Sequence, residues 1–143
     1  MAVHVYRCPV RWSDMDVYGV VNNVSFLRLL EEARVDLVWN LGPNPGDAFL
    51  GGGSVVVRHA IEYKAPLVHR HAPVEIHMWV SSIQAAAVTI ECEVREGDTV
   101  YAQATTTMAA YSYEGRHPRR MTAQEIAYFE RHFEDRRAIG ARS

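Results

Sequence analysis

The sequence predicts an α+β domain in which one antiparallel sheet covers a single long helix. Apolar residues recur at three-and-four spacing between Asn23 and Trp39, and after Val56 the apolar period changes to two. The connections between the successive β segments are too short for parallel crossovers, which favours antiparallel pairing. Together these observations indicate two layers, with about five strands wrapped round the helix and a further helix near the C-terminus.

Length and composition are those of an ordinary globular domain. The chain has 143 residues, of which 48% are hydrophobic and 22% charged, and such a chain can build one core and fold. We expect a single domain over residues 1–143, with its core at about 3–115 and a C-terminal extension at 116–143. The net charge of -2 provides no positive field for a nucleic acid, so we expect no nucleic-acid partner.

Cysteine usage and hydropathy indicate the cellular compartment of the protein. Cys8 and Cys92 are far apart and belong to no Cys/His cluster, which argues against a zinc site and against a disulfide framework. The N-terminus lacks the apolar stretch of a signal peptide, and no run reaches the roughly 18 apolar residues that span a bilayer. We therefore expect a cytoplasmic protein without cofactor, metal or membrane partner.

The first strand is expected from Val3 to Trp12, and the long helix follows it. Asn22 or Asn23 can cap the N-terminus of this helix, and Gly42 with Pro43 ends it. The Gly/Pro-rich segment 42–53 is expected to be a loop. Four strands then form a predicted meander, at 56–63, 74–81, 88–95 and 99–112.

The last predicted strand and the last predicted helix have distinct compositions. Small residues and threonines dominate the segment 99–112, which would let another element or another subunit approach closely.

The final helix is expected over 122–138, because Thr122 and Glu125 have the spacing of a capping box. Exposed sheet edges make edge-to-edge dimerisation a natural expectation.

Two carboxylates, Asp14 and Asp16, lie between the first strand and the helix, and Gly19 follows them. A helix start presents unpaired N–H groups and a partial positive charge, which can polarise a carbonyl oxygen. A carboxylate beside it can act as a nucleophile or take a proton from water. The segment therefore has the parts of a minimal acyl-transfer site. The structural alternative, in which both aspartates only cap a turn, stays open at this point.

The segment 14–23, DMDVYGVVNN, continued by Phe26-Leu27 and by EEAR at 31–34, resembles the signature of hot-dog-fold acyl-CoA thioesterases of the 4-hydroxybenzoyl-CoA thioesterase type. The segment 61–66, IEYKAP, is similar to the end of that family's second strand. The resemblance in element order covers about residues 3–115. It implies a hot-dog fold and hydrolysis of an acyl-CoA thioester.

The resemblance also implies roles for single residues. Asp16 would be the catalytic carboxylate, either as the nucleophile that forms a mixed anhydride or as the general base for water. Backbone amides around Asn22 and Asn23 would hold the carbonyl oxygen, and Asp14 would hold the turn. The substrate pocket would be lined by Val17, Tyr18, Gly19, Val20 and Phe26. Many relatives carry a histidine where this chain has Val20, so the branch of the family stays open.

Basic residues could meet the phosphates of coenzyme A in two places. The resemblance places Lys64, His69, Arg70 and His71 near the nucleotide end of that ligand. The competing cluster is Arg116, His117, Arg119 and Arg120. The histidine pair at 69 and 71 lacks the carboxylate and third ligand of a zinc or iron site. Glu31 and Glu32 are expected to pair with Arg28 and Arg34 on the same helix.

These observations favour an acyl-CoA thioesterase that forms a homodimer or homotetramer, with its site completed across the subunit boundary. Two alternatives share the same scaffold. The first is a non-catalytic module that binds acyl-CoA or an acyl carrier. The second is a dehydratase or hydratase, although no histidine lies near Asp16 in sequence. Aryl, short-chain and long-chain acyl groups all remain possible.

Overall fold

The computed structural model describes residues 3–40 and 53–140. In these residues, a curled antiparallel sheet surrounds a long helix and a second helix follows, which confirms the predicted hot-dog fold. The elements are β1 (His4–Cys8), α1 (Asn23–Val35), β2 (Gly53–Tyr63), β3 (Val74–Ile83), β4 (Ala87–Glu96), β5 (Thr99–Ser112), β6 (His117–Pro118) and α2 (Ala123–Glu130). No helix in the described part is long and apolar enough to cross a membrane.

Helix α1 begins at the predicted cap. The side-chain oxygen of Asn22 accepts a hydrogen bond of 2.8 Å from the backbone N–H of Val24, which satisfies one of the unpaired donors of the first turn. A π-helical turn at Asp36–Asn40 continues the helix, close to the predicted end. The expected stop at Gly42 and the loop over 42–52 lie outside the described residues, and Gly53 already belongs to β2.

The strand order is β1-β3-β4-β5-β2, and all pairs are antiparallel. The meander prediction is correct for β3, β4 and β5. It is wrong for β2, which pairs with β5 rather than β3, so that Ile61 lies opposite Ala104. The connection over residues 64–73 is long enough to cross the end of the sheet. Strand β2 therefore forms one edge of the sheet.

The small residues of β5 face the helix. Ala102, Ala104 and Ala110 are buried on the inner side of the sheet, in the same core cluster as Leu30 and Ala33 of α1. The small residues of β5 therefore belong to the core that the sheet shares with the helix.

Strand β1 is shorter than predicted. Its last pair joins Cys8 to Val74, the first residue of β3, so the chain beyond Cys8 has no partner strand. Pro9 also lacks the backbone N–H that a ladder needs. The segment predicted as strand up to Trp12 is instead irregular, and a 3₁₀ turn follows at Trp12–Asp14.

Helix α2 has the predicted start and an earlier end. Thr122 and Glu125 form the capping box, with side-chain-to-backbone hydrogen bonds of 3.1 and 2.7 Å. The helix stops at Glu130 rather than at 138, because the next residues extend along β3. The N–H of Val80 donates to the carbonyl of His132 at 2.7 Å, and the N–H of Glu134 donates to the carbonyl of Val80 at 2.8 Å.

Candidate active site

Residues 15–21 form a tight hairpin directly before helix α1, which we call hairpin 15–21. Met15 and Val21 are bridged as antiparallel partners. Within it, the N–H of Asp16 donates to the carbonyl of Val20 at 2.9 Å, and the N–H of Gly19 donates to the carbonyl of Asp16 at 3.0 Å. Gly19 has φ +79°, a conformation that side chains disfavour. The return arm of the hairpin leads into the cap of α1.

Asp16 lies at the base of hairpin 15–21 and is half-buried. Its Oδ1 accepts a hydrogen bond of 2.8 Å from the backbone N–H of Tyr18, which fixes the orientation of the carboxylate. No described residue donates a hydrogen bond to its Oδ2. One carboxylate oxygen is therefore held in place while the other is open to a ligand.

Asp14, two positions earlier, has a different environment. It is fully buried, and its carboxylate accepts hydrogen bonds from the backbone N–H of Arg11 at 2.7 Å and from the side chains of Arg11 and Arg28. Burial alone would raise the pKa of Asp14, but the hydrogen bonds from Arg11 and the charge of Arg28 outweigh burial and lower the pKa. Asp14 thus holds the turn to α1, and Arg28 pairs with Asp14 rather than with Glu31 or Glu32.

The first turn of α1 begins with an amide that is unpaired in the described part of the chain, that of Asn23. The N–H of Asn22 donates to the carbonyl of Asp14 at 2.9 Å, so this amide is already occupied. The N–H of Asn23 has no hydrogen-bond partner among the described residues. It lies at the positive end of the helix dipole, where a partial negative charge is stabilised.

A cavity of about 350 Å³ opens at the same helix start. The ring centroids of Phe26 and Tyr63 are 5.4 Å apart in an edge-on contact, and the hydroxyl of Tyr63 donates to the carbonyl of Asn23 at 3.3 Å. The cavity is mostly apolar and brings the end of β2 against the first turn of α1. Its lining residues are Val21, Asn23, Phe26, Tyr63, Lys64, Ala65 and Pro66.

The predicted pocket residues divide into two groups. Phe26 lines the cavity, whereas Val17 and Tyr18 at the tip of the hairpin are 95% and 85% exposed and lie outside it. Gly19 and Val20 also lie outside it. Tyr63, Ala65 and Pro66 also line the cavity, and none of them was predicted as a pocket residue. They belong to the segment 61–66, whose sequence resembles the end of the family's second strand.

The four predicted phosphate-binding residues lie on the connection between β2 and β3, with different partners. The N–H of His69 donates to the sulfur of Met15 at 3.3 Å, which places this connection against hairpin 15–21. Lys64 lines the cavity and pairs with Glu62 at 2.9 Å. Arg70 is bound to Glu96, and the hydrogen bond between them raises the pKa of Arg70. His71 is exposed.

The competing basic cluster lies at the other end of β2. Arg119 forms hydrogen bonds with the carboxylate of Glu125 at 2.9 Å and with the carbonyl of Gly53 at 3.1 Å. Gly53 begins β2, whereas Tyr63, which touches the helix start, ends it. Ten strand residues separate positions by roughly 33 Å. Residues 116–120 are therefore remote from the hairpin of the same chain.

Metal-ligating and thiol groups do not converge in the described part of the chain. No three His, Cys, Asp or Glu side chains of residues 3–40 and 53–140 lie close enough to hold a metal ion. Cys8 and Cys92 are both free and buried. Burial raises the pKa of these thiols, to about 11 and about 12 respectively, so neither provides a thiolate at neutral pH.

The fold and the hairpin site together define a thioesterase-like protein, and the comparison with protein families gives the same class. The family described as the thioesterase-like superfamily matches residues 10–134, so the chain belongs to this superfamily. No protein of curated function matches the sequence.

Solved structures share the fold over nearly the whole chain. A predicted thioesterase from Bacillus stearothermophilus has a TM-score of 0.81 and 17% identity, covering 94% of this chain and 98% of that chain. A thioesterase-superfamily protein from Jannaschia sp. has a TM-score of 0.82 and 17% identity, covering 92% and 94%. A Thermus thermophilus thioesterase complexed with coenzyme A and Zn has a TM-score of 0.75 and 23% identity, covering 90% and 92%.

Proposed function

We propose that this protein is an acyl-CoA thioesterase of the 4-hydroxybenzoyl-CoA thioesterase type, with Asp16 as its catalytic residue. The observation that carries the proposal is the carboxylate of Asp16, held by one oxygen and open at the other, in a hairpin that leads into the helix start. Membership in the thioesterase-like superfamily supports hydrolysis of a thioester. The structural neighbour from Thermus thermophilus, which binds coenzyme A, supports the choice of thiol.

Asp16 has two possible roles in this reaction. As a nucleophile, its Oδ2 attacks the thioester carbonyl carbon, and the C–S bond breaks to release coenzyme A thiolate, which takes a proton from solvent. Water then cleaves the mixed anhydride, which releases the carboxylic acid and restores Asp16. As a general base, Asp16 instead takes a proton from the water that attacks the carbonyl carbon; the tetrahedral intermediate then breaks its C–S bond, and the released coenzyme A thiolate takes up a proton.

The helix start supplies the electrostatic part of the mechanism. Negative charge develops on the carbonyl oxygen during either attack, and a fixed N–H donor in the right place stabilises this charge more in the transition state than in the ground state. The amide of Asn23, which has no partner among the described residues, fits this role. The amide of Asn22 serves the fold instead, through its bond to Asp14.

The acyl group would enter the cavity between Phe26 and Tyr63, and the nucleotide end of coenzyme A would follow the connection after β2. Lys64 lines the cavity, and His69 contacts the hairpin, so both are near the site. His71 is exposed on the same connection. Arg70 contributes positive charge to this surface even while it is bound to Glu96.

We also propose that the active form is a homodimer joined at the edge strand β2. Val57 on this strand and Val24 and Leu27 on α1 are exposed apolar residues, and an exposed edge with such residues invites pairing with a second copy. A second copy would also provide a cover for Val17 and Tyr18. Val57→Lys should shift the dimer to a monomer, as measured by light scattering, and a purely monomeric wild type would contradict the proposal.

Thiol release across a panel of acyl-CoAs tests the proposed function. Aryl, short-chain and long-chain acyl-CoAs are incubated with the wild type, and free thiol is followed by colour development. We expect release with at least one acyl class, loss of release in Asp16→Asn, and full release in the matched control Asp135→Asn, at an exposed position in the segment after α2. Intact acyl-CoA that stays bound without any release would instead indicate a binding module.

Mass spectrometry after rapid acid quench separates the two roles of Asp16. A mixed anhydride adds the mass of the acyl group to the protein, and hydroxylamine removes this mass as a hydroxamate. An acyl adduct on the peptide that contains Asp16 would assign the nucleophilic role. Turnover without any adduct, including under single-turnover conditions, would assign the general-base role. Enoyl-CoA hydration without thiol release would overturn the thioesterase proposal.

A further inference from the structure

A second cavity, of about 160 Å³, lies between the C-terminal half of α1 and the strands β2 and β5. Its walls are mostly apolar and are formed by Val35, Val38, Val56 and Met108. Arg34 contributes the cationic group among the lining residues, so we call this space the Arg34 cavity. It is separate from the cavity at the helix start, because no residue lines both.

Arg34 is buried and has no counterion among the described residues. The residue is only 7% exposed. Its Nη1 atom is buried and has no hydrogen-bond partner among the described residues. Burial lowers the pKa of Arg34, and the nearby Cys92 and Glu31 partly offset this effect. A guanidinium nevertheless stays protonated in proteins, so the cavity contains a positive charge that no residue of 3–40 or 53–140 pairs with. Such a charge is costly unless a partner of opposite charge arrives.

The polar neighbours of Arg34 do not neutralise it. Glu31 lies on the exposed rim of the cavity and forms no ion pair with Arg34. The Nδ1 of His59 is hydrogen-bonded to the hydroxyl of Thr106 at 2.9 Å. Burial and the charge of Arg34 both lower the pKa of His59, so His59 adds no negative charge near the guanidinium.

We propose that the Arg34 cavity binds a monocarboxylate with a small apolar body. A planar guanidinium pairs with a carboxylate through two parallel hydrogen bonds, and the valine and methionine walls match an apolar body. A cavity of roughly 150 Å³ holds a benzene-sized group, which sets the size of that body. The negative charge of Glu31 at the rim disfavours dianions such as phosphate.

The carboxylate can belong to either of two molecules. One is a free carboxylic acid, such as the product of a hydrolase. The other is an acyl-CoA whose acyl group ends in a second carboxylate, and this source rests on the proposed function. Helix α1 rises about 1.5 Å per residue, so Arg34 lies roughly 16 Å along the helix from Asn23. Only in the second case does Arg34 contact a substrate, so only then should its exchange change kcat/KM.

Calorimetric titration of the full chain with hexanoate and with benzoate tests the proposal directly. Hexanol and benzyl alcohol serve as neutral controls of the same size, and sodium chloride controls for ionic strength. We expect saturable binding of one or both acids, with binding of the matching alcohol weaker by roughly ten- to a hundredfold, as befits a charged hydrogen bond. Equal binding of acid and alcohol, or no binding of either acid, would overturn the proposal.

Variants of the cavity assign the binding to Arg34. Arg34→Met should weaken acid binding at least tenfold and leave the weak binding of the alcohol, whereas Glu31→Gln should strengthen acid binding. Removal of an unpaired buried charge should not lower the thermal midpoint. Should Arg34→Met fail to fold, Val56→Phe fills the cavity from an exposed position and must abolish binding. Unchanged acid affinity in a folded Arg34→Met or Val56→Phe protein contradicts the proposal.

Kinetics separate the two sources of the carboxylate. Dodecanedioyl-CoA and dodecanoyl-CoA have twelve-carbon acyl groups, and only dodecanedioyl-CoA carries a second carboxylate, on a chain long enough to extend from the helix start towards Arg34. A preference for dodecanedioyl-CoA in kcat/KM that disappears in Arg34→Met would assign the acyl-CoA, and hexanoate binding without this preference would assign the free acid. Absence of thiol release from every acyl-CoA would overturn the proposed function alone, since the titration with hexanoate requires no catalysis.

Discussion

The 3₁₀ turn at Trp12–Asp14 and the adjoining hairpin 15–21 each contain one aspartate, and the two aspartates have opposite environments. Asp14 is fully buried and accepts hydrogen bonds from two arginines. Asp16 is half-buried, and its carboxylate is held by a single backbone N–H. The first carboxylate is saturated with donors and stabilises the fold, whereas the second keeps an oxygen open. The number of donors around each carboxylate, rather than residue type, distinguishes the two aspartates.

This contrast explains how the proposed site can be rigid while one carboxylate oxygen of Asp16 stays open. The hydrogen bonds of Asp14 to Arg11 and Arg28 fix the chain immediately before the hairpin. The hairpin is then closed by its own backbone bonds, such as that from Asp16 to Val20. Asp16 therefore needs no side-chain partner to keep its place, and its charge is available to a ligand.

Exchange of Asp16 should give the largest effect on activity. Asp16→Asn keeps the shape of the side chain, and its amide can neither attack a thioester nor take a proton, so kcat/KM should fall at least about a hundredfold. The thermal midpoint should stay within roughly 2 °C of the wild type, because an exposed oxygen adds little stability. The reverse outcome, retained activity with a lowered midpoint, would remove the distinction between the two aspartates.

Exchange of Asp14 should give the largest effect on stability. Asp14→Ala removes the acceptor for Arg11 and Arg28 and leaves a cavity, so unfolding in urea should require about 3 kcal/mol less free energy. Some thiol release should remain at low temperature, where the protein is still folded. A variant as stable as the wild type would show that the 3₁₀ turn does not depend on this carboxylate.

Acidification should act on the same residue. The pKa of Asp14 lies below its ordinary value of 3.8, so the unfolded state binds more protons than the native state between the lowered pKa and about pH 4. The stabilisation by Asp14 is therefore fully present above this range and is lost as the pH falls through the lowered pKa. Urea unfolding of wild type and Asp14→Asn at pH 2–6 should show a smaller acid-dependent loss in the variant.

Exchange of Gly19 should give the smallest effect in this series. Gly19→Ala adds a Cβ at φ +79°, where no neighbour lies within 4 Å, so the cost is backbone strain alone, about 1 kcal/mol. Gly97, with φ +56° and equally open space, provides the matched control. Both alanine variants should lose similar stability, and only Gly19→Ala should also lower kcat/KM. Equal kcat/KM of the two variants would show that the conformation of Gly19 does not affect the proposed active site.

The parts of the fold that depend on local patterns were predictable from the sequence. Strands β3 and β4 alternate apolar and polar residues, and the caps at Asn22 and Thr122 bond to residues two or three positions away. The pairing of β2 with β5 was not predictable in this way. It joins residues such as Ile61 and Ala104, and no local pattern specifies such a distant partner.

The candidate site likewise has features that local sequence predicts and features that depend on contacts between distant residues. A carboxylate before a helix start is a local feature, so both aspartates could be marked as candidates. Their separation depends on Arg28, which is 14 positions from Asp14 and approaches it only after the helix has folded back on the turn. The unpaired state of Arg34 was equally hidden, because helical spacing predicted a partner in Glu31 and the structure provides none among the described residues.

The segment after α2 has a practical consequence for work with shortened chains. The backbone of His132 and Glu134 continues the sheet beside Val80, and Trp79 lies under the chain that follows, with its indole N–H bonded to the carbonyl of Arg136 at 2.9 Å. A version cut after β5 would leave this tryptophan uncovered and the N–H and carbonyl of Val80 without their partners. Such a protein should precipitate on expression, so crystallisation and imaging are best attempted with the C-terminal residues kept and any purification tag attached through a long spacer.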